Sequence, residues 1–149
     1  MSELQRVNDR LEALISSLSA PARKEMARSI GRKLRASQQQ NIKRQQAPDG
    51  TPFKPRKAQP VRSKKGRIKR EMFARLRTAK YMKVKATTED AVVEFTSKVQ
   101  RIARIHHYGL KDKPSINSKV MSYQSRPLVG LNDSDLAEIT SLIIKGLAK

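Results

Sequence analysis

Met82-Lys83-Val84-Lys85-Ala86, then Thr87-Thr88-Glu89-Asp90, then Ala91-Val92-Val93-Glu94-Phe95-Thr96 is the stretch that decides the fold class. The first run alternates apolar and basic side chains with a period of two, the mark of a half-buried strand. The polar turn returns the chain into a second strand, so Lys80 to Ala86 and Ala91 to Thr96 read as a β-hairpin. Glu89 and Asp90 sit in that turn, where acidic residues favour the turn itself.

Downstream, Lys98 to Tyr108 places Val99, Ile102, Ala103, Ile105 and His106 at helical spacing, and Gly109 stops the helix at the C′ position. A polar loop follows with Lys111, Asp112, Lys113 and Pro114. Lys119 to Gln124, with Val120, Met121 and Tyr123, reads as a third strand. Asn132 or Asp133 then caps an acidic-starting helix whose stripe of Leu136, Ile139, Leu142, Ile143 and Leu147 is expected to pack on the sheet.

Upstream, Met72, Phe73 and Leu76 predict a short helix from about Ile68 to Leu76. Before it, Ala47-Pro48-Asp49-Gly50 is a turn signal, and Pro52, Pro55 and Pro60 stand among six Lys or Arg between Ala47 and Gly66. Prolines at that density forbid regular structure, so residues 47–66 read as an extended basic arm that needs a neighbouring subunit to order it. At the N-terminus, Leu4, Val7, Leu11, Leu14, Ile15 and Leu18 recur at spacings of three and four, a stripe on a helix from Glu3 to Ser19. Ser19-Ala20-Pro21 caps and starts a second helix, running from Ala20 to Gln38-Gln39-Gln40 or a turn beyond, with Ala27, Ile30 and Leu34 on one narrow face. The architecture expected is α+β: helices in 1–46, the arm in 47–66, and in 67–149 a small antiparallel sheet with a packed C-terminal helix, all one domain.

Of 149 residues none is cysteine, which excludes disulfides and thiolate metal sites. The first nineteen residues carry Glu3, Asp9 and Glu12 and lack the pattern of a signal peptide, and no apolar run reaches the length of a membrane span. The net charge of +20 is unevenly placed: residues 23–85 hold 22 basic and 3 acidic side chains, whereas residues 1–22 hold 2 and 3. So concentrated a charge calls for a polyanionic surrounding, nucleic acid or an acidic protein surface.

His106-His107 invites a metal reading, but adjacent helical residues point about 100° apart, and no further ligands stand at suitable spacing. No nucleophile elbow, phosphate-binding glycine loop or acid–base carboxylate pair is present, so neither catalysis nor a cofactor is expected. Sequence-specific DNA binding lacks a helix-turn-helix and stacking aromatics, and leaves a basic module contacting the DNA backbone as the alternative function.

Several separated motifs, in order, carry a family resemblance. They are Leu11-Glu12-Ala13-Leu14, Arg35-Ala36-Ser37-Gln38-Gln39-Gln40, Pro48-Asp49-Gly50-Thr51-Pro52-Phe53, Met72-Phe73-Ala74-Arg75-Leu76-Arg77, Arg101-Ile102-Ala103-Arg104-Ile105-His106-His107-Tyr108-Gly109-Leu110, Ser125-Arg126-Pro127-Leu128-Val129-Gly130-Leu131 and Asp133 to Leu136. Together they resemble the phage virion morphogenesis family, the tail completion S proteins of Peduovirus-type contractile-tailed phages. The resemblance implies a structural virion protein, made in the host cytoplasm and kept in the tail or neck, without catalytic residues. It further implies a ring, hexameric by preference, at the head-proximal end of the tail, needed for tail maturation and head–tail joining, against tail-tube and connector proteins and near the DNA path. The residues expected at subunit or partner interfaces are Arg28, Arg32, Arg35, Phe53, Arg62, Lys64, Lys65, Arg67, Arg104, His107, Tyr108, Arg126 and Pro127.

Overall fold

The computed structural model describes residues 2–55, 71–113 and 116–148. Its elements run α1 (Glu3–Ser16), α2 (Ala20–Lys43), β1 (Met82–Ala86), β2 (Ala91–Phe95), α3 (Ser97–Tyr108), β3 (Lys111–Asp112), β4 (Met121–Ser122) and α4 (Asp133–Leu147). The class is α+β, as the hairpin and the helical periods imply. The chain divides into two compact units, one of Met1–Arg35, Val84–Glu94 and Asp133–Lys149, the other of Ala36–Lys83 and Phe95–Asn132.

In the first unit, the Ser2 hydroxyl accepts the Gln5 N–H at 3.1 Å and caps α1. The Ser19 hydroxyl does the same for α2, accepting the Ala22 N–H at 3.3 Å. Glycine inside a helix costs about 1 kcal/mol against alanine, and Gly31 shows why α2 keeps one. A Cβ there would stand 2.4 Å from the Val84 Cγ1, so the missing side chain is what lets β1 seat on the helix. Thr87 closes the hairpin turn, its hydroxyl accepting the N–H groups of Glu89 and Asp90 at 3.1 and 2.9 Å. Lys85 and Glu94 pair across the strands at 2.7 Å, which raises the lysine pKa above its ordinary value.

Helix α4 departs from its expected stripe. Leu136 is half exposed and the buried position is Asp135, while Ile139, Leu142, Ile143 and Leu147 are half-buried. The neighbour that α4 meets is α2: Gly146, near the C-terminal end, lies against Met26, and Glu138, in the first half, stands 3.8 Å from Lys33.

The core of the second unit is built on Ile42, Met82 and Leu128, each fully buried, with Ala47, Phe53, Met72, Leu76, Ala103 and Ile105 around them. Two glutamines near the end of α2 act as stand-in strand partners. Gln38 exchanges both amide hydrogen bonds with the backbone of Gly130 at 2.9 Å, and Gln45 does so with Met72, accepting its N–H at 2.7 Å and donating to its carbonyl at 2.9 Å. Gln38 is buried and Gln45 half-buried, and a polar group taken from water needs its hydrogen bonds, so these amides fix the register of two segments that have no ladder of their own.

Three expectations are corrected here. Residues 71–79 form turns, not a helix: Phe73 has φ 63° and Gln45 holds the backbone of Met72, although Met72 and Leu76 are buried. The third strand is the two-residue β4, paired antiparallel with β3 in a sheet of its own, Lys111 opposite Ser122 and Asp112 opposite Met121. Residues 47–55, the described start of the expected arm, fold back as a closed turn in which the Ala47 N–H reaches the Thr51 carbonyl at 2.8 Å. There Asp49 accepts the Thr51 N–H, which lowers its pKa, and Ala47, Pro48 and Phe53 are buried. Residues 56–70, with the expected start of the short helix, lie outside the described residues.

Candidate interaction surfaces

Helix α3 ends in a built junction. Gly109 adopts φ 69°, ψ 54°, and a Cβ there would come within 2.7 Å of the Ser125 nitrogen, so both backbone conformation and close approach require glycine. The last carbonyls of a helix lack intrahelical donors. Here the 125–128 loop supplies them: the Arg126 N–H donates to the His106 carbonyl at 2.8 Å and the Ser125 hydroxyl to the His107 carbonyl at 2.9 Å. The Leu128 N–H donates to the His107 Nδ1 at 3.0 Å, which fixes that nitrogen as unprotonated, and burial lowers the His107 pKa. Two sequence motifs 18 or more residues apart thus form one structure.

The same loop holds residues 54 and 55. Arg126 is buried, and its guanidinium donates to the Lys54 carbonyl at 2.8 Å and the Pro55 carbonyl at 3.0 Å. An aromatic series fills the space beside it, Phe53 edge-on to Phe73, Phe73 against His106, and His106 edge-on to Tyr123, with centroids 5.6, 5.1 and 5.0 Å apart. Phe53, Arg126 and His106 are therefore committed within their own unit. His106 is a stacked ring, and among the described residues no three His, Cys, Asp or Glu side chains gather as a metal site.

What α3 presents outward is different. A groove of about 380 Å³ is lined by Phe95, Gln100, Ala103, Arg104, His107, Tyr108 and Val129. Positions 100, 104, 107 and 108 share one helical face, Tyr108 is 65% exposed, and Arg104 is exposed with no carboxylate partner among the described residues. Pro127, half-buried, follows Arg126 in the loop. Arg101 is tied back to Asp112, so it is not part of this surface.

On the first unit, Lys24, Arg28, Arg32 and Arg35 line one side of α2. Arg28 is bound by Glu25 at 2.8 Å, while Lys24, Arg32 and Arg35 meet no carboxylate among the described residues. The second bare surface is α1, which buries no residue: Leu4 is 71%, Val7 54% and Leu14 39% exposed. Arg62, Lys64, Lys65 and Arg67 lie outside the described residues. The sequence assigns no bridging role to Gln38 or Gln45, since nothing local distinguishes a bridging glutamine from a solvated one.

A family model described as the phage virion morphogenesis family matches residues 2–148. The chain is 40% identical over 150 residues to the tail completion protein S of Escherichia phage P2, covering 100% of both. No solved structure matches it.

Proposed function

The chain belongs to the phage virion morphogenesis family, and we propose that it is a structural protein that completes the phage tail, working by assembly without catalysis. The observation that carries this reading is the end-to-end likeness to a tail completion protein, with no segment of either chain left over.

In finer detail, the protein forms a ring, six copies favoured, at the head-proximal end of the tail. It is made in the host cytoplasm, stays in the tail or neck, and serves head–tail joining between the tail tube and the connector. Cyclic closure repeats one heterologous contact around an axis, so a subunit needs two complementary surfaces on different parts of its body. The α1 stripe, the α3 groove and the basic side of α2 are available for such contacts. Lys24, Arg32 and Arg35 suit an acidic protein surface, because among the described residues no carboxylate offsets the attraction there.

The test is a phage lacking this protein, complemented from a plasmid. The reading predicts heads and tails that accumulate unjoined, joined particles with the parent chain, and label on the purified virion at the head-proximal tail end. Normal infectious particles without the protein, or its absence from virions, would overturn it. Arg32→Glu with Arg35→Glu should impair joining in a salt-dependent way. If that pair instead abolishes duplex DNA binding whose affinity falls steeply with salt, the basic side of α2 is a DNA-backbone contact.

A further inference from the structure

We propose that the apolar stripe of α1 is the seat of a second copy of this chain, the two helices lying parallel. The inference rests on the ring-forming reading, since it names one contact by which copies meet.

The first observation is the spacing. Within α1, Leu4, Val7, Leu11 and Leu14 alternate at three and four residues, which are the a and d positions of a heptad repeat. That pattern fits another helix of the same kind, each side chain entering a hole between four of its partner. The helix is capped by its own Ser2 and braced by a Gln5–Asp9 side-chain hydrogen bond of 3.0 Å, yet none of its residues is fully buried, Leu11 and Ile15 being half-buried. Exposure is greatest at Leu4 and lessens at Leu14, and Leu18 just beyond lines a groove with Met26 and Leu142. The second half of the helix, from Leu11 on, thus leans on its own unit while the first turns, with Leu4 and Val7, stand free.

The second observation is charge. Residues 1–22 carry 2 basic and 3 acidic side chains, against 22 and 3 in residues 23–85. Two copies of a chain with net charge +20 repel each other where residues 23–85 approach, and meet on α1 without that cost. The same balance argues against other occupants: a nucleic-acid backbone needs cations, and helices that lie on lipid carry Lys or Arg along their polar face.

Charge also chooses the orientation. A fully overlapped antiparallel pair, with Leu4 opposite Leu14, sets Arg10 of each copy beside Arg10 of the other. A parallel pair sets Glu3 opposite Asn8 and Arg10 opposite Ile15, with no like charges in contact. Pairing of one stripe with itself is an isologous contact, distinct from the heterologous contact that closes a ring. Two heptads fall short of the roughly three to four that sustain an independent coiled coil, so the pair forms in concert with the other contacts of the ring.

Because the chain has no cysteine, a single introduced thiol reports on this contact cleanly. The full-length protein is prepared as Val7→Cys, Leu14→Cys and Asp9→Cys, oxidised mildly and run without reductant, with the parent's mass followed by light scattering. The proposal expects covalent dimers from Val7→Cys and from Leu14→Cys, loss of that band with Asp9→Cys, and loss of assembly with Val7→Glu at unchanged thermal unfolding of the monomer. A parent that forms a ring while neither stripe cysteine links overturns the proposal and leaves the ring reading intact. Cross-linking only in the mixture of Val7→Cys with Leu14→Cys, or equally well through Asp9→Cys, also overturns it. A covalent dimer that never grows into a larger assembly keeps the pairing and removes the ring.

Discussion

Helices α1 and α3 are alike in length class and in the breadth of their apolar stripes, and the structure treats them in opposite ways. Helix α3 buries Ala103 and Ile105, ends on a glycine with φ 69° and hands its last carbonyls to the 125–128 loop. Helix α1 buries no residue, although it is the better capped of the two at its N-terminus. Amphipathic spacing reports that a stripe will be covered; it does not report by what. Helix α3 is covered by its own chain at Ala103 and Ile105, though Ile102 stays 48% exposed, and α1 keeps the first turns of its stripe, Leu4 and Val7, for another.

The contrast is broken first by truncating the stripes. Ile105→Ala or Leu128→Ala should cost about 2–5 kcal/mol of unfolding free energy, since both side chains are buried and leave a cavity. Leu4→Ala should change the stability of the dilute monomer by less than about 0.5 kcal/mol, as surface sites do. Chemical denaturation of the three variants at low concentration decides it, and comparable losses at Leu4 and Ile105 would end the distinction.

A smaller effect is expected at the junction that covers the end of α3. Arg126→Met keeps much of the buried volume but removes the donors to the carbonyls of Lys54 and Pro55, and should cost about 1.5–3 kcal/mol, the range for hydrogen bonds involving charged groups. Amide exchange should rise around residues 53–55 and 125–128 and stay level in α1.

The smallest effect is a pH dependence. Burial holds the His107 pKa below its ordinary 6.5, and its Nδ1 must stay unprotonated to accept the Leu128 N–H. As pH falls through 6.5 the unfolded chain takes up the proton before the folded one, so stability is complete above that value, declines below it and levels off under the folded pKa. His107→Asn, with an amide oxygen near the position of Nδ1, should flatten this part of the curve. Parallel curves for parent and variant would show that His107 does not contribute.

The readable parts of the sequence were those whose causes are local. The hairpin follows from a period of two around a polar turn, and Gly109 follows from the one residue type that takes a left-handed C′ position freely. The segment after residue 70 was misread because Met72, Phe73 and Leu76 have helical spacing, while the feature that prevents the helix is Gln45, some 27 residues away, binding the Met72 backbone. Leu136 was placed in the core by the same periodicity; the half-buried positions 139, 142 and 143 set the true face of α4, turned so that Asp135 goes inside. Of the candidate surface, Arg104 and Tyr108 were legible as outward-facing residues. Arg126 and Phe53 looked the same in sequence but are interior, since only the fold shows that carbonyls 54 and 55 meet the guanidinium.

The most direct measurement is hydrogen exchange in α1 and α3 of the parent protein, at a dilution that keeps it monomeric and at a concentration where it assembles. The account predicts that the amides from Leu4 to Ser16 are weakly protected when dilute and gain protection on assembly, while those from Ala103 to Tyr108 are protected equally in both. Protection of α1 that is already full in the monomer, or that stays low in the assembled protein, would contradict it.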